Sequence, residues 1–494
     1  MLAEVEQTRL AASKETDPKR KSQLGQFFTP ASIARFMADL FVPARNKKCV
    51  LLDPGAGIGS LSAAFLERWS AGGLDFYEVE LHAFEVDESL HPYLSQTLEA
   101  CGKKGQVTSV IRSDDFVIAA ANWLENNFFA SPLPEFTHVI LNPPYRKIRS
   151  DSVHRLALRS VGIETVNLYS AFVALSLALL ENHGQLVAII PRSFCNGLYY
   201  RPFREYMMQR AAIRHIHLFA SRSKAFKDDD VLQENIIIRL ERGGAPGPVS
   251  VSTSTDDSFA DLIVQEYPFD RIVSDQDPER FIHVPASPEK NIIERCPAIC
   301  CSLADLGIAV STGPVVDFRV KEHLREMPDT DSVPLLYPGH FSSKGAEWPK
   351  KWKKPNAICR HEDTEKWLYP NGFYCVVRRF SSKEEKRRVV AGVVVPSDFG
   401  DAPLLGFENH LNVFHENKQG LSPELAHGLA VFLNTTAVDE HFRLFNGHTQ
   451  VNATDLKSLQ YPDRETLTAI GKWALGHTEL TQEMIDSYFE ALAA

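Results

Sequence analysis

Asn142, Pro143, Pro144 and Tyr145 close a short apolar run, and their types suit them to grip an amine. Neither proline has an N–H, so a loop built from them offers a ligand acceptors, the Asn142 side-chain oxygen and the Pro143 carbonyl. Two acceptors at close quarters match one partner well, an exocyclic amine with two hydrogens. Tyr145 adds a flat face on which the ring bearing that amine can stack, a contact of roughly 1–3 kcal/mol per base. Asn-Pro also starts many ordinary surface turns, so the corner gains meaning only from what else converges on it.

The elements that must position this corner are strands. Val139, Ile140 and Leu141 form the continuous apolar run of a strand covered on both faces, and two successive prolines stop it as strand or helix. Residues 49–53 form a second such run, leading into Pro54-Gly-Ala-Gly-Ile-Gly59 and an amphipathic helix over 60–69. Strand, glycine loop and helix in that order open a nucleotide-binding sheet. Gly55, Gly57 and Gly59 let the backbone approach a ligand, with Asp53 just ahead of them; the loop lacks the Gly-Lys-Ser/Thr ending that phosphate loops need, which argues against triphosphate hydrolysis.

Residues 81–86 predict another strand ending at Glu85 and Asp87, where an acid accepts two ribose hydroxyls. Residues 107–111 predict a fourth, ending at Ser113-Asp-Asp-Phe116, where Asp114 or Asp115 can accept from an adenine amine and Phe116 can cover the ring. Upstream, Thr29 is placed to cap, and Pro30 to begin, a helix over 31–42 whose N-terminus can hold a carboxylate. Any one of these acids also reads as a solvated strand end. Four strands that each end in a polar constellation are a joint signal, because doubly wound sheets take ligands outside the carboxyl ends of their strands.

Helix and strand go on alternating through 168–181, 185–190, 200–208, 213–218 and 233–240, which predicts an α/β fold with a doubly wound, mostly parallel sheet. Composition divides the chain into a charged leader (1–26), a sheet domain (27–242), a Gly/Pro- then Ser/Thr/Asp-rich linker (243–258), a second domain (259–464) and a helical tail (465–494). The second half lacks βα alternation and predicts a mixed α+β domain. With 494 residues, 44% hydrophobic and 23% charged, the chain has the make-up of an ordinary soluble protein of two or three domains.

Its start is polar, and its longest apolar run, 168–180, falls short of the about 20 residues that span a bilayer. Eight scattered cysteines fit free thiols in a reducing cytoplasm, and Cys296, Cys300 and Cys301 have no partner pair at zinc spacing, so no metal is expected.

The net charge of −10 is uneven: residues 341–388 hold 13 Lys and Arg against 6 Asp and Glu, a surplus of 7 that leaves the rest at −17. There Lys350, Lys351, Lys353, Lys354, Arg378 and Arg379 interleave with Trp348, Trp352, Trp367, Tyr369, Phe373 and Tyr374, a mixture that suits a phosphate-tracking groove with stacking aromatics. A solvated basic face would look the same. Glu408-Asn-His-Leu-Asn412 and Gly447-His-Thr-Gln-Val-Asn452 follow, and Asn409, His410, Asn412, His448, Thr449, Gln450 and Asn452 have groups that read base edges.

Phe-Thr-Pro first, then the glycine loop, then Asn-Pro-Pro-Tyr, with the basic half last, resembles the adenine-specific DNA methyltransferases of the gamma arrangement. The second half, including the run 447–456 and Tyr461-Pro462, is similar to the PstI/BsuBI-type modification methylases. The resemblance spans nearly the whole chain. It implies the class I S-adenosylmethionine-dependent methyltransferase fold, a C-terminal DNA-recognition domain, S-adenosyl-L-methionine as donor and double-stranded DNA as substrate. The acceptor would be N6 of a flipped adenine, and a separate cognate restriction endonuclease would act on the same site.

Carried over, Thr29 with Pro30 would hold the donor's amino-acid end and 53–59 its methionine portion. Glu85 would take the ribose, Asp115 or its neighbour Asp114 the adenine amine, and Phe116 the ring. Asn142 and Pro143 would grip the target amine, beside Pro144, with Tyr145 on one face of the base and Phe226 on the other. Three alternatives share parts of this pattern: a cytosine-N4 methyltransferase, for which serine at 142 is usual; a protein glutamine methyltransferase, against which Phe-Thr-Pro and the basic half argue; and a catalytically dead specificity protein, which the intact motifs disfavour.

Overall fold

A computed structural model describes the chain except for residues 1, 16–27, 44–46, 103–105, 127–132, 220–233, 276, 286–290, 343–344, 383, 447–448 and 494. The chain forms two compact units, 1–288 and 289–494.

The first unit is built on a nine-stranded sheet: β1 (Lys48–Pro54), β2 (Glu78–Phe84), β3 (Val107–Arg112), β4 (Phe136–Leu141), β5 (Leu180–Pro191), β6 (Ala211–Phe219), β7 (Asn235–Arg242), β8 (Val249–Ser254) and β9 (Ile263–Tyr267). Their order is β3-β2-β1-β4-β5-β7-β6-β8-β9, with β1 to β5 parallel and β7 antiparallel to both its neighbours. Helices cover both faces, as a doubly wound sheet requires. Strand alternation divides the apolar residues between two cores: Val50, Leu52, Val139 and Leu141 enter one, Cys49, Leu51 and Ile140 the other. Each fully buried aliphatic side chain of this kind contributes roughly 1.5–3 kcal/mol.

Register then places the chemistry. Pro54 pairs with Phe84 and Phe84 with Arg112, while Leu52 pairs with Val139, so the tips of β1 to β4 reach one edge of the sheet together. Helices α1 (Leu2–Glu15), α2 (Ala31–Asp39), α3 (Ser60–Ser70), α4 (His91–Gly102), α5 (Phe116–Leu124), α6 (Val153–Ser160), α7 (Leu168–Leu179) and α8 (Arg201–Arg210) complete the layers.

Three parts of the domain plan differ from those read in the sequence, the last of them at the C-terminus. The leader 1–26 holds a helix, α1, with Leu2, Val5 and Ala12 buried; its Glu6 ion-pairs with buried Arg9 and accepts from the Ala31 N–H at 3.0 Å, meeting the first free donor of α2. The stretch 243–258 is no linker: Val249 and Val251 point into the core, Ser252 bonds His215 and His217, and β8 runs parallel to β6 inside the sheet. Serine there is polar but satisfied, so composition alone misplaces the division, which falls near 288.

The second unit has a four-stranded antiparallel sheet (Ala309–Thr312, Leu411–His415, Tyr374–Arg378, Ala391–Val394) and a five-stranded mixed one. Helices Pro423–Leu433 and Arg464–Leu475 meet at Gly428 and Gly471, where an added Cβ would lie 1.9 and 1.7 Å from the facing backbone oxygens. The C-terminal helices are therefore part of this core, not a tail.

Candidate active site

Asn142 follows β4 directly, and the β4 core fixes where its side chain emerges. Its Nδ2 donates to Thr29 Oγ1 at 3.0 Å, and its Oδ1 accepts from the Tyr145 hydroxyl at 3.0 Å. The side chain is thereby held at both ends before any ligand arrives. Thr29 is not the N-cap expected from sequence: Pro30 takes that place, and the buried Thr29 hydroxyl serves Asn142 instead. Tyr145 also differs from a free stacking face. Its hydroxyl reaches Ile189 O at 3.2 Å, its ring meets Tyr169 edge-on at 6.3 Å, and burial pushes its ionisation far above the ordinary range.

Beside this corner lies a cavity of about 870 Å³, its open mouth included, lined by Gly55, Gly57, Glu85, Asp114, Asp115, Phe116, Asn142 and Pro144, together with Phe28, Phe84, Val86, Arg146, Val117, His154, Leu168 and Phe172. Gly55, Gly57 and Gly59 have φ of +93°, +57° and +87°, which L side chains rarely adopt, and a Cβ on Gly57 would come within 3.5 Å of the Phe28 ring. Glu85 is held by N–H groups of Gly57 (2.8 Å, to Oε2) and Asp87 (2.7 Å, to Oε1); burial raises its pKa, and these bonds work against the rise.

Asp115 caps α5, its Oδ1 accepting from Val117 and Ile118 N–H, while Oδ2 takes His154 Nε2 at 2.8 Å. Burial pushes its carboxyl up, but His154 and the helix N–H groups more than offset this, and the net shift is down. Asp114 is exposed on the cavity wall. Asp53, by contrast, does not line the cavity. It is fully buried under the glycine loop, bonded to Ser62 Oγ at 2.6 Å through Oδ2, with Oδ1 unpartnered, and burial lifts its pKa to about 7. Gly59 and Pro30 are likewise outside the lining.

Sequence reading missed Phe28, Arg146, His154 and Phe172. Phe28 sits next to the Thr29-Pro30 pair and Arg146 directly follows Tyr145, so both had a signal there; His154 and Phe172 lie on helices with no motif. Phe226 is outside the described residues.

In the second unit, Lys351, Lys353 and Lys354 are exposed and Lys350 half-buried, on a loop organised by buried Asn356. Asn356 Oδ1 accepts from Lys350 N–H at 2.8 Å, and its Nδ2 donates to Lys350 O at 2.8 Å and to Glu326 O at 2.7 Å. Lys354 is paired with Asp317 and Lys350 with Glu347. Arg378 pairs with Glu385, and Arg379 donates to Asn409 O and Gln450 Oε1. His410, half exposed, bonds through Nδ1 to buried Glu408 at 2.5 Å.

Three readings of this unit are corrected. Asn412 is fully buried and donates to Val451 O at 2.7 Å, so it cannot reach a base edge. Tyr369 and Tyr374 are buried in the unit's core, with Trp348 and Trp352 packed against it, because their rings carry large apolar areas that the core removes from water. Among the described residues of this unit, the exposed large aromatics are Phe318 and Phe380, at 64% and 39%. Arg388 is buried and holds Ser381 and Asn446, so part of the basic surplus is structural. Asn452 begins a short helix, its N–H donating to Asp455, and Thr449 is exposed; His448 lies outside the described residues.

A parallel sheet with a glycine loop at β1, an acid held at the tip of β2 and an acceptor-rich corner after β4 defines an S-adenosylmethionine-dependent methyltransferase. Residues 93–226 match the family of the Eco57I restriction-modification methylase. The type II methyltransferase M.BsuBI of Bacillus subtilis is 54% identical over 477 residues, covering 96% of this chain and 95% of that protein. M.PstI of Providencia stuartii, also a type II methyltransferase, is 42% identical over 490 residues, covering 98% and 95%. The fold is shared with the type IIL restriction-modification enzyme MmeI, solved in complex with DNA, at a TM-score of 0.52 and 10% identity over 100% of this chain and 72% of that one. The chain belongs to the type II DNA methyltransferases of restriction-modification, in the family of M.BsuBI and M.PstI. Among the described residues no helix is long and apolar enough to cross a membrane, and no cluster of ligating side chains suits a metal.

Proposed function

We propose that the protein methylates N6 of an adenine everted from duplex DNA, as the modification partner of a separate endonuclease that acts on the same site. The observation that carries this reading is the tethered Asn142 amide at the cavity wall, beside two prolines that have no donors to offer.

The cavity suits the donor by its residues. Glu85 supplies a buried carboxylate for vicinal hydroxyls, Phe116 and Phe28 apolar walls, and Gly55 and Gly57 close backbone approach. When bound, S-adenosylmethionine supplies an electrophilic methyl group on a sulfonium. The protein's own work is then positioning and electrostatics. An aromatic amine is a poor nucleophile because its lone pair is drawn into the ring. Asn142 Oδ1 and Pro143 O, accepting one N–H each, pull the nitrogen toward tetrahedral geometry and return that pair to it. An amide oxygen has two lone pairs, and Tyr145 takes one of those on Oδ1. Inside a duplex the amine is hidden, so the base must leave the stack at a cost of a few kcal/mol, offset by pocket contacts and by the Tyr145 ring.

Thr29 would hold Asn142, and Asp114 or Asp115 would accept the donor's adenine amine. The exposed lysines 351 and 353, with Arg379, His410 and Gln450, would contact DNA. The test is the product: plasmid DNA from cells expressing the protein is read by single-molecule sequencing, which reports the modified base together with its context, and a hydrolysed sample is chromatographed to identify the methylated nucleoside. N6-methyladenine in a fixed sequence context is expected; N4-methylcytosine, or a methylated protein with unmodified DNA, would overturn the reading.

A further inference from the structure

The cavity wall also carries a residue that no motif announces. His154 stands in the first turn of α6, only nine residues beyond Tyr145 in the chain. It lines the cavity and donates from Nε2 to Asp115 Oδ2 at 2.8 Å, at 28% side-chain exposure against 42% for Asp115. The Asp115 carboxylate is otherwise committed to its own helix, since Oδ1 accepts from Val117 N–H at 2.9 Å and Ile118 N–H at 3.2 Å. Oδ2 is therefore the oxygen left for a ligand, and His154 is the group among the described residues that fixes where that oxygen's remaining lone pair points.

We infer that His154 is a positioning residue for the cofactor's base: it orients Asp115 Oδ2 as an acceptor and so makes the pocket select a purine that carries an exocyclic amine. The inference rests on the proposed reading of Asp115 as the adenine-amine acceptor. An ionised carboxylate oxygen can accept from His154 and from an amine together, and a charge-assisted bond of this kind holds its geometry better than a neutral one. A purine bearing a carbonyl oxygen in place of the amine would set oxygen against oxygen. An acceptor left facing an acceptor, each without a donor, is what lets such sites discriminate where apolar fit alone does not. The imidazole is well suited to this task because one ring nitrogen can donate to the carboxylate while the ring itself closes the side of the cavity.

Geometry also gives His154 a place between two functions. Residues 146–153 lead from the Asn142–Tyr145 corner to α6, and they are pinned on the way by Ile148 N–H to Val166 O at 2.8 Å. Whatever seats the cofactor's base thus also seats the far end of the loop that follows the amine-gripping corner.

The test is calorimetric titration of the full chain with S-adenosylhomocysteine and with its deaminated, hypoxanthine-bearing counterpart. The unaltered protein should bind the adenine form at least tenfold more tightly. His154→Ala should cut that ratio to about threefold or less, mainly by weakening the adenine form, whereas His154→Gln, whose amide can donate to the same oxygen, should restore most of it. Asp115→Asn, which keeps a capping side chain, should abolish the preference. If Asp115→Asn abolishes the ratio while His154→Ala leaves it at the unaltered value, the inference about His154 is wrong and the reading of Asp115 stands. If Asp115→Asn leaves the ratio unchanged, the reading of Asp115 itself fails. Equal loss of both ligands in His154→Ala, without rescue by Gln, would make His154 a mere packing residue and would also overturn the inference.

Discussion

Asn142 Nδ2 donates to Thr29 Oγ1 at 3.0 Å, linking the corner after β4 to a residue that lies 113 positions earlier in the chain. Thr29 in turn is set by α2, whose first N–H is met by Glu6 of α1. The amide that would grip the substrate is thus oriented by the N-terminal segment; its carbonyl oxygen accepts from Tyr145, and the residue lines the cavity. Asn142→Ala should lower the single-turnover rate of methyl transfer by about 10²–10³-fold or more, the cost of one preorganised polar group in a catalytic site. Cofactor and DNA dissociation constants should stay within about threefold of the unaltered protein, because the side chain acts on the amine. Thr29→Val, which keeps shape and removes the hydroxyl, should lose about ten- to a hundredfold in rate by letting the amide rotate.

Tyr145 offers a narrower test. Removing its hydroxyl deletes the bonds to Asn142 Oδ1 and Ile189 O and leaves the ring in place. A net hydrogen bond is worth about 1 kcal/mol, so Tyr145→Phe should cost roughly tenfold or less in the single-turnover rate, and Tyr145→Ala should cost far more, since the ring goes too. Equal rates for the two variants would mean the ring contributes nothing to holding the base.

Asp53 ties stability to pH. Its folded pKa of about 7 lies above the ordinary 3.8, so the native state holds a proton that the unfolded chain has released. Between those values native protein binds more protons than unfolded, and stability must fall as pH rises through that window. If the whole difference were expressed it would amount to roughly 4 kcal/mol. Asp53→Asn removes the titration and keeps a partner for Ser62. Thermal midpoints of this variant should decline less than those of the unaltered protein between about pH 5 and about pH 8. Parallel curves would show that Asp53 does not titrate there.

Some of this was legible before any coordinates. The strand 139–141 and its corner could be read because an apolar run ended by two prolines has few structural solutions, and the glycine loop because positive φ demands glycine. The Thr29 hydroxyl could not. Thr-Pro ahead of an amphipathic helix is a sound capping signal, and only tertiary contact diverts the hydroxyl to Asn142. Asn412 was misread for a related reason: an amide suits a base edge and a buried backbone carbonyl equally, and the sequence around it does not say which face of the strand meets solvent. His154 had no local signature at all, since its meaning comes from α6 lying against α5.

The basic loop of the second unit is where electrostatics separates two roles. Lys350 and Lys354 already hold acidic partners, whereas Lys351 and Lys353 are exposed with no ion pair among the described residues. Each lysine that neutralises a phosphate releases condensed counterions, contributing close to one to the slope of log affinity against log salt. Lys351→Gln with Lys353→Gln should therefore reduce the magnitude of that slope by about two and weaken binding alike on cognate and unrelated duplexes, because a phosphate contact carries no sequence information. His410→Ala should behave in the opposite way. Its ring is held by buried Glu408 with the Nδ1 edge inward, which leaves Nε2 as the atom available to a base. Losing it should leave the slope within error and reduce the preference for cognate over unrelated DNA by about 1–3 kcal/mol, the worth of a specific base contact. Fluorescence-anisotropy titrations over a range of salt concentrations, with both duplexes, measure the two effects at once. A slope unchanged by the double lysine substitution would remove this loop from the DNA interface.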